Sequence, residues 1–343
     1  MAQESLNIFI LGVTGYIGGP LLRRLKKLFP DAHYSALVRS EAHIPIFSAE
    51  GVQEIVHGSS ADTEKIRKAC SQADLVFNIA DCDDVPMTVA VLAGLKERFE
   101  QTGRRPVLIH TSGTGVIMDK AQGVLDPKVA AEAFDDANEE DIKRIPPENI
   151  HRNVDELIFA ADAEGYIDGW IVAPPTIYGV SNGPLARDSR QIPIIIALAL
   201  AAGKPICAND GSATWDNVHV QDLVDFYELL VQKALSPETR NAATRPSPYS
   251  KFYFCESGQH SWRELTEAVA EALYKRGIVP TKEVTSVSYE EAVKAHPWAF
   301  AVMTNSFGKA TKARQMGWVP KHVNWRADVD EDVERALKTL GKI

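Results

Sequence analysis

The sequence predicts an α/β fold, a doubly wound parallel sheet with a smaller C-terminal lobe. Three observations predict it. Short apolar runs alternate with amphipathic helical stretches through the first two-thirds of the chain. The strand-like runs are apolar on both faces, as strands covered by helices on both sides must be. A glycine-rich turn joins the first run to the first helical stretch. Right-handed crossovers then wind the sheet outward from its centre.

Residues 6–11 read as a buried strand and 18–29 as a helix, with Leu21, Leu22, Leu25 and Leu28 at helical spacing between basic residues. Strands follow at 34–38 and 52–57, then a helix at 63–71 and a strand at 74–79. Residues 88–101 read as a helix, 106–110 as a strand, 153–164 as a helix and 169–172 as a strand. The apolar run 192–202 reads as a buried helix, since it is about half the length a membrane-spanning helix needs. Two segments break the rhythm. Residues 117–149 are polar and acidic and read as a surface insertion with short helices. Residues 236–250, rich in Pro, Ser, Thr and Ala, read as a loop or linker.

The 343 residues carry 37 Lys+Arg against 46 Asp+Glu, a net charge of −9, with 45% hydrophobic and 24% charged residues. That balance excludes disorder as the main state and argues against a nucleic-acid partner. An anionic cofactor is still allowed, because a helix N-terminus holds it locally. Cys70, Cys82, Cys207 and Cys255 form no CxxC pair, so neither a disulfide framework nor a zinc knuckle is expected. No metal site is expected either, and the run Asp81, Cys82, Asp83, Asp84 reads as a loop. Glu4 precedes the first apolar run, which is unlike a secretory signal. The expected setting is cytoplasmic, with no membrane partner.

In the glycine turn, Gly12, Gly15 and Gly18 lie between a strand and a helix, with Thr14, Tyr16 and Ile17 among them. Glycine permits a tight turn and close approach to a pyrophosphate, while the helix N-terminus supplies N–H groups. This is the Rossmann arrangement for a dinucleotide. At the end of the second strand, an arginine accommodates a 2′-phosphate and an acidic residue binds the ribose hydroxyls. Arg39 stands there and favours NADP, while the nearby Glu41 keeps NAD open.

The words GVTGYIGG, LVFNIADCDD, VLIHTSGTGV, IVAPPTIYG, WDNVHVQDLVD and NSFGKATKARQMGWVP occur in that order. Together they resemble the extended short-chain dehydrogenase/reductase superfamily, the NAD-dependent epimerase/dehydratase group, and within it a fungal-type set of epimerase-like proteins. The resemblance implies a dinucleotide-binding domain over 1–180 and 216–245 and a substrate lobe over 181–215 and 246–343. It implies an NAD(P)-binding oxidoreductase acting on a small carbonyl or hydroxyl compound. It places Ala80, Asp81, Thr111, Pro174, Pro175 and Thr176 beside the cofactor, and Ser112 at the active-site serine position with Thr114 as the alternative. Homodimerisation is a further expectation by analogy.

One family feature is missing. The reaction needs a tyrosine acid/base with a lysine four residues later, but the helix that should carry them reads PPENIHRNVDELIFAA. One register puts Glu148 and Arg152 at those sites, and another puts Pro147 and His151 there. Three readings follow. His151 replaces the tyrosine as proton donor, with Arg152 or His151 holding ribose or phosphate. Alternatively the chemistry is non-redox, a dehydration or isomerisation. Alternatively the protein senses NADP(H) without catalysis. Asp155, one turn on, would pair with His151 or Arg152. Tyr178 is a further candidate phenol for the pocket. His110 is expected to point away from Ser112. His219 and Asp222 read as structural, Arg187 and Arg190 as a clamp for carboxylate or phosphate, and Trp215 and Trp298 as pocket lining or core.

Overall fold

The computed structural model describes residues 6–343. Glu4, used above to read the amino terminus, lies outside the described residues. Five strands come first: β1 (Asn7–Leu11), β2 (His33–Val38), β3 (Glu54–His57), β4 (Leu75–Asn78) and β5 (Val107–Thr111). They join Asp168–Ala173 and Phe252–Phe254 in a seven-stranded sheet. Its order is Phe252–Phe254, Asp168–Ala173, β5, β4, β1, β2, β3. Every pairing in it is parallel. The strand order reverses between β1 and β4, and in such sheets ligands bind at the carboxyl ends of strands beside the reversal.

The central strands are apolar on both faces because helices cover both. Ile8, Phe9, Ile10, Leu75, Val76, Phe77, Val107, Leu108 and Ile109 are all fully buried. Helix α1 (Gly18–Leu28) buries Leu21, Leu22 and Leu25 and turns Lys26 and Lys27 to its last turn, where cations complement the helix dipole. The helix expected over 88–101 runs from Val85 to Thr102, because Asp84 caps it through Met87 N at 2.9 Å and Pro86 fits its first turn.

A second core lies in the C-terminal part. Ile192, Ile196, Trp215, Trp262, Leu265 and Val333 pack there, between helices Gln191–Ala202, Trp262–Lys275 and Trp325–Thr339. The strands Thr176–Tyr178, Thr214–His219 and Gly258–Ser261 form a three-stranded sheet. Among the described residues no helix is long and apolar enough to cross a membrane.

Two expectations need correction. Residues 246–343 are not wholly a lobe. Phe252–Phe254 is an edge strand of the large sheet, and Ala310, Ala313 and Trp318 pack in the first core. The acidic stretch 117–149 is not wholly a surface insertion. Ile142 and Ile145 are buried, and Phe134–Asp135 pairs with Gly308–Lys309. Asp136, 1% exposed, accepts hydrogen bonds from the backbone N–H of Phe254 (3.1 Å) and Lys312 (2.8 Å). A carboxylate is needed there because those donors have no water to bond.

Candidate functional site

The glycine turn follows β1. Gly12 has φ +86°, and a Cβ there would lie 2.3 Å from the carbonyl oxygen of Ile79, just after β4. A Cβ on Gly18 would lie 2.1 Å from Gly12 O. Both positions therefore require glycine. Gly15 N donates to Gly12 O at 2.9 Å and closes the turn. Helix α1 has no side-chain N-cap and no acidic residue in its first turn. Gly19 N donates to Gly15 O at 3.2 Å and Pro20 has no N–H, so Gly18 N is the helical donor left for an anion such as a dinucleotide pyrophosphate.

Residues 179–187 strap this turn from the other side. Tyr16 donates its phenol proton to Gly179 O, and Ser181 Oγ donates to Tyr16 O at 2.8 Å. Arg187 Nε donates to Thr14 O at 2.8 Å. The expected anion clamp is thereby placed at the glycine turn rather than in the lobe. Arg39 is exposed just past β2, two residues before Glu41. Arg190 is exposed ahead of Gln191–Ala202.

Beyond β4 and β5 lies a second group of side chains. Ser112, 5% exposed, donates to Asp155 Oδ2 at 3.1 Å. His110 sits on the same face, with Nε2 3.9 Å from Asp155 Oδ1. The expectation that it would point away from Ser112 is corrected, because residues two apart on a strand share a face. Burial drives the imidazole of His110 down to about 3, with His151 adding to the effect. Burial likewise pushes the Asp155 carboxyl up to about 8. The two thus face each other largely uncharged near pH 7. Thr111 faces the opposite side, its hydroxyl 2.5 Å from the Tyr227 hydroxyl, so that side chain is not turned to this group.

His151 caps helix Arg152–Glu164 from the left-handed region, at φ 70°. A non-glycine residue adopts that conformation only where its surroundings hold it there. Asp83 does so, accepting from both His151 N and Nδ1 at 2.9 Å through one oxygen. These bonds hold the Asp83 carboxyl below its usual range. Cys82 Sγ lies 3.1 Å from the same Nδ1. The other nitrogen, Nε2, faces the chain after β5, where a Cβ on Gly115 would lie 3.0 Å from it and one on Gly113 3.3 Å. Two glycines therefore make room for the ring at the carboxyl edge of the sheet.

The partners expected for His151 are elsewhere. Asp155 serves Ser112. Arg152, one residue round the helix, is 2% exposed, pairs with Glu156 at 2.6 Å and lies 5.3 Å over the Phe159 ring. Its guanidinium is taken up by Glu156 and the Phe159 ring on its own helix. Tyr178 is also not brought to the group, because its hydroxyl donates to His322 O and its ring meets His219 edge-on. Thr114 is occupied by Trp215 Nε1 at 3.0 Å. Trp298 is 53% exposed and lines nothing. His219 Nδ1 accepts from Gln221 N, and Asp222 accepts from Lys321 N and His322 N, both structural roles.

Pro174 O accepts from Thr114 N at 3.0 Å, which ties the loop Pro174–Pro175 to the end of β5. Thr176 is 2% exposed and its hydroxyl has no partner in the protein. Ala80 and Asp81 directly follow Ile79, against which Gly12 packs. The residue that sequence reasoning missed is Asp83 as the holder of His151. Its signal was the DCDD run at the carboxyl end of a strand adjoining β5.

Comparison with known proteins finds two family matches in this chain. Residues 4–93 match the NmrA-like family, and residues 150–243 match the NAD dependent epimerase/dehydratase family. Oxidase ucsJ of an Acremonium species is 26% identical, over 98% of this chain and 99% of that protein. The 2'-dehydrokanamycin reductase of Streptomyces kanamyceticus is 24% identical, over 79% of this chain and 68% of that protein. A solved dTDP-glucose 4,6-dehydratase, DesIV of Streptomyces venezuelae with NAD and TYD bound, superposes with a TM-score of 0.64 at 17% identity, covering 98% of each chain. Matches to the NmrA-like family and to the NAD dependent epimerase/dehydratase family thus fall on two segments of one chain, whose fold is like that of the solved dehydratase.

Proposed function

We propose that the protein is an NADP(H)-dependent oxidoreductase acting on a small carbonyl or hydroxyl compound, with His151 as its proton carrier. The observation that carries this reading is the fixed imidazole. Asp83 holds Nδ1, and Nε2 is turned to the space beside Gly113 and Gly115. The names of two relatives, an oxidase and a reductase, support a redox role.

When bound, a nicotinamide cofactor supplies or accepts the hydride. The protein's own residues do the rest. The glycine turn and the N-terminus of α1 hold the pyrophosphate, with the 179–187 strap behind them. Arg39 meets the 2′-phosphate. For a carbonyl substrate, Nε2 of the imidazolium gives its proton to the oxygen while Asp83 stabilises the cation through Nδ1–H. For a hydroxyl substrate, neutral Nε2 takes the proton. Such an aligned acid or base contributes about 10²–10⁴-fold to rate.

Calorimetry is expected to show NADPH bound more tightly than NADH, and equal weak binding of both would overturn the cofactor assignment. His151→Phe is expected to abolish NADPH consumption while leaving NADPH affinity nearly intact. Retained turnover in that variant rejects the proton-carrier role. The missing Tyr-x-x-x-Lys pair and the NmrA-like match favour a second reading, a cofactor sensor without turnover. Consumption of NADPH at enzyme-like rates by any member of an aldehyde and ketone panel excludes it.

A further inference from the structure

We propose that Cys82, Asp83 and His151 form a binding site for a thiophilic divalent cation, with Zn²⁺ the best match to the donors. One thiol, one carboxylate and one imidazole converge here from two separate segments, the loop after β4 and the turn into helix Arg152–Glu164. Cys82 Sγ and Asp83 Oδ1 lie 3.1 Å and 2.9 Å from His151 Nδ1, and all three donor atoms fall within 4.8 Å of one another. Ligands about 2.0–2.3 Å from a tetrahedral zinc stand about 3.3–3.8 Å apart. The two pairs that share Nδ1 therefore need to spread by only a few tenths of an ångström, and the thiol and carboxylate already lie within 4.8 Å of each other. Three protein donors with a fourth position open is the pattern of a catalytic rather than a structural zinc site.

The surroundings favour a cation. Asp81 is spent on Asp83 N and Asp84 on Met87 N, so the flanking carboxylates shape the loop and leave Cys82 and Asp83 to face His151. Asp81 and Asp83 place carboxylates on either side of the Cys82 thiol in the chain. A cation there takes the place of the thiol proton. A second, independent feature lies behind the trio. His110 is fully buried, and both of its ring nitrogens lack a hydrogen-bond partner. Asp155 Oδ1 is likewise without one. Buried polar atoms left unmatched in a native protein mark an ion or water among them.

The site does not depend on a bound nicotinamide, because every donor belongs to the chain. A cation on Nδ1 takes the place of the bond to Asp83 while Nε2 still faces Gly113 and Gly115, so the metal-bound ring and the imidazolium held by Asp83 are alternative states of one side chain.

The test is a Co²⁺ titration of the full chain after chelator treatment, followed by absorption, with Zn²⁺ calorimetry beside it. The expected result is a thiolate-to-cobalt charge-transfer band in the near ultraviolet that saturates with a single class of site. Cys82→Ser should lose that band, and Asp83→Asn should weaken Zn²⁺ binding roughly tenfold or more. Both variants are checked for native circular dichroism. If Cys82→Ser does not fold, the Zn²⁺ affinity of Asp83→Asn decides alone. No charge-transfer band, a band that survives in Cys82→Ser, or unchanged Zn²⁺ affinity in Asp83→Asn would each overturn the site. NADPH affinity, measured on the same metal-free protein, reports separately on the cofactor reading.

Discussion

Asp83 holds an imidazole whose backbone is strained, and at the scale of single residues this pairing decides what His151 can do. Asp83→Asn keeps the size of the side chain and an oxygen for Nδ1–H, but removes the charge that stabilises the imidazolium. We expect kcat to fall by about 10²-fold or more, with NADPH affinity little changed by calorimetry. An unchanged kcat would show that Asp83 only shapes the loop. His151 drew attention in the sequence because one register puts it where the family lysine should stand. Its partner was not legible. Asp83 lies 68 residues away in the chain, and only the adjacency of β4 and β5 brings the loop after one strand to the helix that follows the other. Gly12 and Gly18 were legible for the opposite reason, since their constraint is local. The strand-to-helix turn alone demands them.

At the scale of elements, the main surprise is the acidic stretch before helix Arg152–Glu164. Its sequence has the composition of a solvated loop, yet Asp136 is buried and satisfies two backbone N–H groups, one on the edge strand Phe252–Phe254 and one at the start of helix Thr311–Gln315. Composition cannot reveal this, because one carboxylate among many in DDANEED is chosen by the fold and the rest stay wet. Asp136→Ala leaves both donors buried without a partner. At about 1–3 kcal/mol for each orphaned group, we expect a loss of about 2–6 kcal/mol. Urea denaturation should show it as a lower midpoint with an unchanged slope. A loss under about 0.5 kcal/mol, the range of ordinary surface changes, would mean that water reaches these groups and that the stretch is a surface insertion after all. The edge strand Phe252–Phe254 was hidden in a similar way. Three aromatic residues after a Pro- and Ser-rich segment carry no periodicity long enough to assign.

At the scale of the whole molecule, the alternation of strands and helices made the large sheet and its parallel order legible, while the return of the chain to that sheet near its end was not. The two cores are tied at the cofactor turn itself. Asp332, on the C-terminal helix Trp325–Thr339, accepts from Gly179 N at 2.8 Å, and Gly179 O in turn receives the Tyr16 phenol proton. Burial pushes the Asp332 carboxyl up from the ordinary 3.8 to about 7. Between those two values the folded protein holds a proton that the unfolded chain has released, so this group makes stability fall as pH rises through that window. Above it the loss is complete, each unit of displacement amounting to about 1.4 kcal/mol. The buried histidines act with the opposite sign. Burial lowers His110 and His260 to about 3, so their contribution is lost as pH falls below the ordinary histidine range. A stability profile of the native protein alone therefore mixes both sets. Comparing it with Asp332→Asn removes the histidines, which are common to both proteins. Asparagine keeps an oxygen for Gly179 N and has no charge to desolvate. Its melting temperature relative to the native protein should rise from pH 4 towards pH 8, with most of the change between about pH 5 and 7. A difference that stays constant over that range would mean that Asp332 is ionised in the folded state at its ordinary value, and that the tie between lobe and cofactor turn carries no cost of burial.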